Sequence, residues 1–128
     1  MIDELIGKTF KFDFGDLKVK YTFDSSDRAS FVVEAGGGMV ADGHAETVDI
    51  NLAEIRPSVF HVSWREQSGA TVIHVEDYAN GVVRSDVTLD GQLYNLVGKI
   101  EGPAPRTQKE DPFCRELSSR GRRGRRMA

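Results

Sequence analysis

Three short turns constrain this chain more than any other feature of it. Gln67-Ser68-Gly69, Asn80-Gly81 and Asp90-Gly91 punctuate a run of alternating residues between positions 60 and 96. Asn-Gly and Asp-Gly pairs favour the positive φ values of a two-residue type I′ hairpin. Gln67-Ser68-Gly69 suits a three-residue hairpin loop with its glycine in the left-handed position. Each turn dictates a set of cross-strand partners. The first sets Glu66 opposite Ala70, Trp64 opposite Val72 and Val62 opposite His74. The second, as a two-residue loop, sets Tyr78 opposite Val83, Glu76 opposite Ser85 and His74 opposite Val87, with Asp77 and Arg84 as an exposed ion pair. The third sets Leu89 opposite Gln92, Val87 opposite Tyr94 and Ser85 opposite Leu96. Opposed residues share a sheet face. All three turns therefore collect one inner face, which includes Phe60, Val62, Trp64, Glu66, Val72, His74, Glu76, Ser85, Val87, Gln92 and Tyr94. The opposite face holds His61, Arg65, Asp77, Arg84 and Lys99, with Ile73, Val75, Leu93 and Val97 as apolar exceptions.

The N-terminal part repeats the pattern. "KTFKFDFGDLKVKYTF" places Phe10, Phe12, Phe14, Leu17, Val19, Tyr21 and Phe23 on one face around a Gly15-Asp16 turn. Further strands are expected at "ASFVVEA" and "AETVDINLAEI". About eight strands joined by short connections predict an all-β fold, an antiparallel up-and-down β-barrel of the calycin or lipocalin-like kind. A barrel of that size holds side chains or one small ligand. The segment "IDELIG" is expected to form a short helical turn that plugs or flanks one end. The folded domain is expected to span residues 1–101. Residues 102–128, opening with the Pro- and Gly-rich "GPAPRTQKEDP", form a linker and an Arg-rich tail, expected to be poorly ordered.

Composition narrows the function classes. The 128 residues suffice for one core. No apolar run approaches the ~20 residues that cross a bilayer, and "MIDELIGKTF" does not resemble a secretory leader, so no membrane association is expected. The single cysteine, Cys114, suits a reducing cytoplasm. Residues 1–105 hold 9 Lys and Arg against 17 Asp and Glu, whereas residues 106–128 hold 8 against 3. An acidic body of this kind is not built to bind nucleic acid through the barrel.

"GKTFKFDFG", then "GGMVADG", then "VFHVSWREQSGATVIHVEDYANGVVRSDV" resembles the small bacterial MoaF-like proteins of the calycin group. The likeness spans roughly residues 5 to 100 and is strongest in the "SWRE" and "SGATV" block that follows "GMVA". More distantly the chain is similar to the phenolic acid decarboxylases, which share that barrel. Those enzymes use two tyrosines on the first strand, an arginine after the glycine-rich loop and a glutamate ending the "SWTE" block. Here the tyrosine positions fall on Phe12 and Phe14, the arginine position falls on Gly43, and Glu66 matches the glutamate. Without the phenols and the arginine, a substrate carboxylate has lost its charge-assisted anchor. His44, next to Gly43, is expected to point to the other face if the strand is regular.

These turns place Phe14, the glycine-rich loop "AGGGMVADG", the Gln67-Gly69 turn and the Asp90-Gly91 turn at one end, the expected mouth. Phe12, Phe14, Val40, Trp64, Val72 and Val87 are expected to wall a pocket there, with Glu66, His74, Gln92 and Tyr94 as its polar groups. Glu66 lies beside aromatic rings, a setting that raises a carboxyl's pKa and suits a general acid or base. His74 is expected deeper, out of hydrogen-bonding reach of Glu66. No metal site is expected, because His61 and His74 face opposite sides and His44 lies in a loop. No cofactor motif is present. The expected function is binding of a small, largely apolar or aromatic organic molecule. The alternative is a cofactor-free lyase, isomerase or cyclase in which Glu66 and His74 are the candidate catalytic residues. The exposed Ile73, Val75, Leu93 and Val97 also offer a surface for a homodimer.

Overall fold

A computed structural model describes residues 2–103. The linker and Arg-rich tail expected at 102–128, and Cys114 with them, lie outside the described residues apart from positions 102 and 103. A 3-10 turn, Ile2–Glu4, leads into eight strands: β1 Thr9–Asp13, β2 Leu17–Ser25, β3 Arg28–Gly36, β4 Ala45–Arg56, β5 Val59–Arg65, β6 Thr71–Asp77, β7 Val82–Leu89 and β8 Gln92–Glu101. They form a closed barrel in sequence order. Every neighbour is antiparallel, and β1 closes on β8 with Phe12 opposite Ile100. Closure leaves no strand edge, so every strand finds a ladder partner on both sides.

Alternation decides what fills the interior. Phe10, Phe12, Tyr21, Phe23, Phe31, Phe60 and Trp64 are buried in one cluster, with Val62, Val72 and Val83 between them. Tyr21 sits at its centre, stacked parallel to Phe31 at 6.3 Å and tilted against Trp64 at 5.2 Å. Leu5, just after the 3-10 turn, is fully buried, and the following Gly7 N–H bonds to the Phe23 carbonyl. The N-terminal segment thus seals the end of the barrel opposite the glycine-rich loop. Outside, ion pairs such as Arg28–Asp49 and Lys18–Asp13 cross between strands. Ile73, Val75, Leu93 and Val97 are exposed there, but Asp86 and Arg84 of β7 lie between them in the ladder.

Two of the three turns behave as expected. Gly69 has φ 93, with Glu66 N–H bonded to the Ala70 carbonyl, and Trp64 faces Val72. Asp90 and Gly91, with φ 52 and 78, give the type I′ signature and the pairs Leu89–Gln92, Val87–Tyr94 and Ser85–Leu96. The Asn80-Gly81 turn differs. It spans Tyr78 to Gly81, and the register moves by two residues: Glu76 faces Val83, His74 faces Ser85 and Val72 faces Val87. The expected Asp77–Arg84 pair does not form. The Asp77 carboxylate instead accepts the Ala79 and Asn80 backbone N–H groups and the Asn80 side chain, capping a wider turn. This local bonding outcompetes the tight hairpin. A shift of two leaves every side chain on its expected face, because the strand period is two.

Barrel closure leans on one small residue. A Cβ on Gly98 would lie 2.6 Å from the Asp13 carbonyl oxygen and 2.7 Å from the Phe14 ring. Bare backbone here lets Phe14 fold across the β1–β8 seam. Gly98→Ala is expected to lower unfolding free energy by about 1–3 kcal/mol through this collision, read from the midpoint of urea denaturation. A midpoint unchanged from wild type would show that the seam has slack.

Candidate functional site

The interior is not packed solid. Towards the glycine-rich loop lies a cavity of about 90 Å³. Its walls come from almost every strand: Phe12, Phe14, Leu17, Val19, Phe31, Trp64, Val72 and Val87 supply most of the apolar surface. Val40 reaches in from the loop. That loop is tied down, with Gly36 N–H bonded to Asp42 and Gly43 N–H to the Val33 carbonyl. The polar lining consists of His44, Glu66, His74, Ser85 and the Tyr21 phenol; among the described residues no lysine or arginine lines the space.

Of the residues expected to form the pocket, Phe12, Phe14, Val40, Trp64, Glu66, Val72, His74 and Val87 line the cavity. Gln92 and Tyr94 stand apart from the cavity lining. The Tyr94 hydroxyl donates to Gln92 Oε1 at 2.6 Å in an exposed pair. His44 corrects the expectation that it faces away. The chain turns at Gly43, φ 83, and His44 enters beside Glu46 with Nε2 2.7 Å from Glu46 Oε2. Strict alternation does not carry through a left-handed residue. Glu46, which the sequence reading did not single out, is buried and also accepts the Gln67 backbone N–H, fastening β4 to the β5–β6 turn. The signal for it was present: His44 and Glu46 are two apart, the spacing that puts both on one face of a strand.

The same spacing recurs twice more. The Trp64 indole N–H donates to Glu66 Oε2 at 3.0 Å. His74 Nδ1 lies 2.8 Å from Glu76 Oε2, and the Tyr78 hydroxyl donates to Glu76 Oε1 at 2.7 Å. Glu76 is fully buried, so these two bonds are what make its burial tolerable. His74 does not bond to Glu66, as expected from the register. Trp64 and Phe12 meet its ring edge to face at 4.7 and 5.3 Å.

Electrostatics separates these groups. Burial chiefly, and the nearby Glu46 carboxylate, push the Glu66 carboxyl above its usual range; the Trp64 bond and the two histidines oppose the rise. Burial, reinforced by the Glu76 charge, pushes both the Tyr21 and Tyr78 phenols well above theirs. Tyr21 is also the one buried side chain whose polar atom, its hydroxyl, has no partner among the described residues. No hydrogen bond joins Ser85 to His74, so the serine is not paired with a base. No three His, Cys, Asp or Glu side chains among the described residues are grouped to hold a metal ion.

Three outcomes follow from these contacts. Glu66 is raised in the folded chain, so its contribution to stability is fully present below its ordinary value near 4.5 and is lost as pH rises through the raised value. Glu66→Gln should therefore melt higher than wild type above that window and converge with it below; a constant offset at all pH would contradict the assignment. Tyr78→Phe, which removes one bond, should cost about 1 kcal/mol, and Glu76→Ala, which strands two partners, about 2–5 kcal/mol. Tyr21→Phe deletes a hydroxyl that bonds to nothing and should leave stability equal or higher; a clear loss in thermal melting would reveal a partner for it.

The family described as MoaF-like matches residues 6–101, three-quarters of the chain. The chain belongs to the MoaF-like family. A crystal structure of a provisionally assigned beta-lactamase from Burkholderia vietnamiensis has a similar fold, with a TM-score of 0.71 at 22% identity, covering 77% of this chain and 95% of that one. No curated protein matches the sequence. No helix among the described residues is long and apolar enough to cross a membrane.

Proposed function

We propose that this member of the MoaF-like family binds a small, neutral, largely apolar or aromatic molecule inside its barrel. The observation that carries this reading is the cavity itself, a space of about 90 Å³ walled by aromatic and aliphatic side chains. Natural cores leave few voids larger than a water molecule, and pockets for small ligands combine apolar walls with a few polar groups. The volume limits the guest to a small molecule, no larger than about one ring. Charge argues against an organic anion. Glu66 stands on the wall, Glu46 lies close behind it and no lysine or arginine among the described residues lines the space, so a carboxylate would enter against like charge.

A second reading keeps the same pocket and makes it catalytic. A half-buried carboxyl with a raised pKa on a cavity wall is suited to proton transfer, and Glu66 is such a group. A lyase, isomerase or cyclase acting by general acid–base chemistry would use it. The beta-lactamase assignment of the Burkholderia protein is not carried over. Serine beta-lactamases act through an S-x-x-K motif, and this sequence contains none.

Trp64 is the only tryptophan in the chain and lines the cavity, so its fluorescence reports occupancy directly. Titration with small monocyclic compounds should change it saturably. Val87→Phe, which fills the space, should weaken that binding at least tenfold while the far-ultraviolet spectrum stays that of the barrel. A folded Val87→Phe protein that binds as well as wild type would place the ligand elsewhere. For the catalytic reading, Glu66→Gln should lose turnover and keep ligand binding; equal activity in that variant would reject it.

A further inference from the structure

Beyond the mouth, two polar side chains on the cavity wall present an atom with no hydrogen-bond partner among the described residues. His74 and Ser85 face each other directly across β6 and β7. Both line the cavity, and both are nearly fully buried, at 4% and 2% exposure. Directly opposed side chains start from Cβ atoms roughly 4.5–5.5 Å apart, close enough for one small group to reach both. The His74 ring is fixed from behind. Its Nδ1 is bonded to Glu76 Oε2, Glu76 is in turn held by the Tyr78 hydroxyl, and Trp64 and Phe12 pack against the ring in T-shaped contacts. An ionised carboxylate only accepts hydrogen bonds, so it takes the Nδ1 proton of a neutral imidazole and leaves Nε2 as a bare acceptor. Among the described residues Nε2 has no hydrogen-bond partner, and neither has the Ser85 hydroxyl.

An acceptor and a donor without hydrogen-bond partners among the described residues lie side by side on the cavity wall. Atoms so placed face the cavity and bond to whatever occupies it, water or ligand. The complementary group must donate to the imidazole and accept from the serine at the same point. A hydroxyl does both. A carboxylate, ether or ketone offers His74 no proton, and a methyl group offers neither.

We propose that His74 Nε2 and Ser85 Oγ anchor a hydroxyl group carried on a small neutral ring, as in a phenol or a benzylic alcohol, and that Glu76 and Tyr78 are positioning residues that hold the His74 tautomer. The inference rests on the cavity being the binding site. It adds which face of the ligand lies deepest and what chemistry selects it.

The test compares phenol with toluene, its near-isostere lacking the hydroxyl, on the full-length protein labelled with nitrogen-15. Nuclear magnetic resonance follows the His74 ring nitrogens and the single indole N–H of Trp64. The free protein should show His74 neutral with its proton on Nδ1. Phenol should shift the Nε2 resonance and bind about tenfold more tightly than toluene. Ser85→Ala should narrow that preference several-fold. Glu76→Gln, which offers one acceptor oxygen where Glu76 offers two, should populate the Nε2-protonated tautomer and narrow it as well; if that variant does not fold, Ser85→Ala and the wild-type tautomer still decide. A His74 proton on Nε2, a doubly protonated ring, or a preference untouched by Ser85→Ala would overturn the anchor. Equal affinity for phenol and toluene would overturn it too, leaving the cavity as an unselective apolar site. Failure of both compounds to move either reporter would remove the cavity-binding reading along with it.

Discussion

Closure of β1 onto β8 is the constraint on which everything else in this molecule depends. A closed antiparallel sheet has one inside, and every second residue of every strand must enter it. The interior of an eight-stranded barrel is small, so the inward set must either fill it or leave a defined space. At the sealed end Leu5, Phe23, Phe60 and Val83 fill it. Toward the glycine-rich loop they do not, and the remainder is the cavity.

Polar side chains that alternation sends inward cannot reach bulk water, so they must find one another. The chain solves this locally. His44 with Glu46, Trp64 with Glu66 and His74 with Glu76 are each two residues apart, on one strand or at its end, and Tyr78 completes the last of these from the adjoining turn. Each pair is short-range in sequence and needs no partner from a distant strand. The pairs also divide the site by depth. Glu46 and Glu66 make the entrance acidic, whereas Glu76 spends its charge on His74 and Tyr78 in the dry interior. Burial raises Glu66, and the Trp64 bond with the two nearby histidines offsets only part of that rise.

The inward face of β5 through β8 was legible because the turns carry their own chemistry. Gly69 and the Asp90-Gly91 pair adopt the conformations their residue types favour, and the pairings follow. Asn80-Gly81 shows where that reasoning stops. The pair is compatible with a tight hairpin, but Asp77 three residues earlier caps a wider turn, and the register moves by two. Faces survive an even shift and neighbours do not. That is why Ser85, rather than Val87, faces His74. His44 escaped for a related reason, since the left-handed Gly43 resets the alternation on which the face assignment rests.

The sequence by itself determined the strands, the face each residue presents and so the membership of Trp64, Glu66 and His74 in one interior. Those properties follow from a period of two and from turn residues with strong local preferences, and both act within a few residues. It did not determine the width of the turn at Asp77, the entry of His44, or the space left over within the walls. These depend on which local hydrogen bonds win and on how side chains from eight strands fit together in three dimensions. Only tertiary structure decided that Gln92 and Tyr94 bond to each other outside the cavity lining while Ser85 lies inside it. The physical reason is that facing inward is a property of one strand, whereas lining a cavity is a property of all the strands at once.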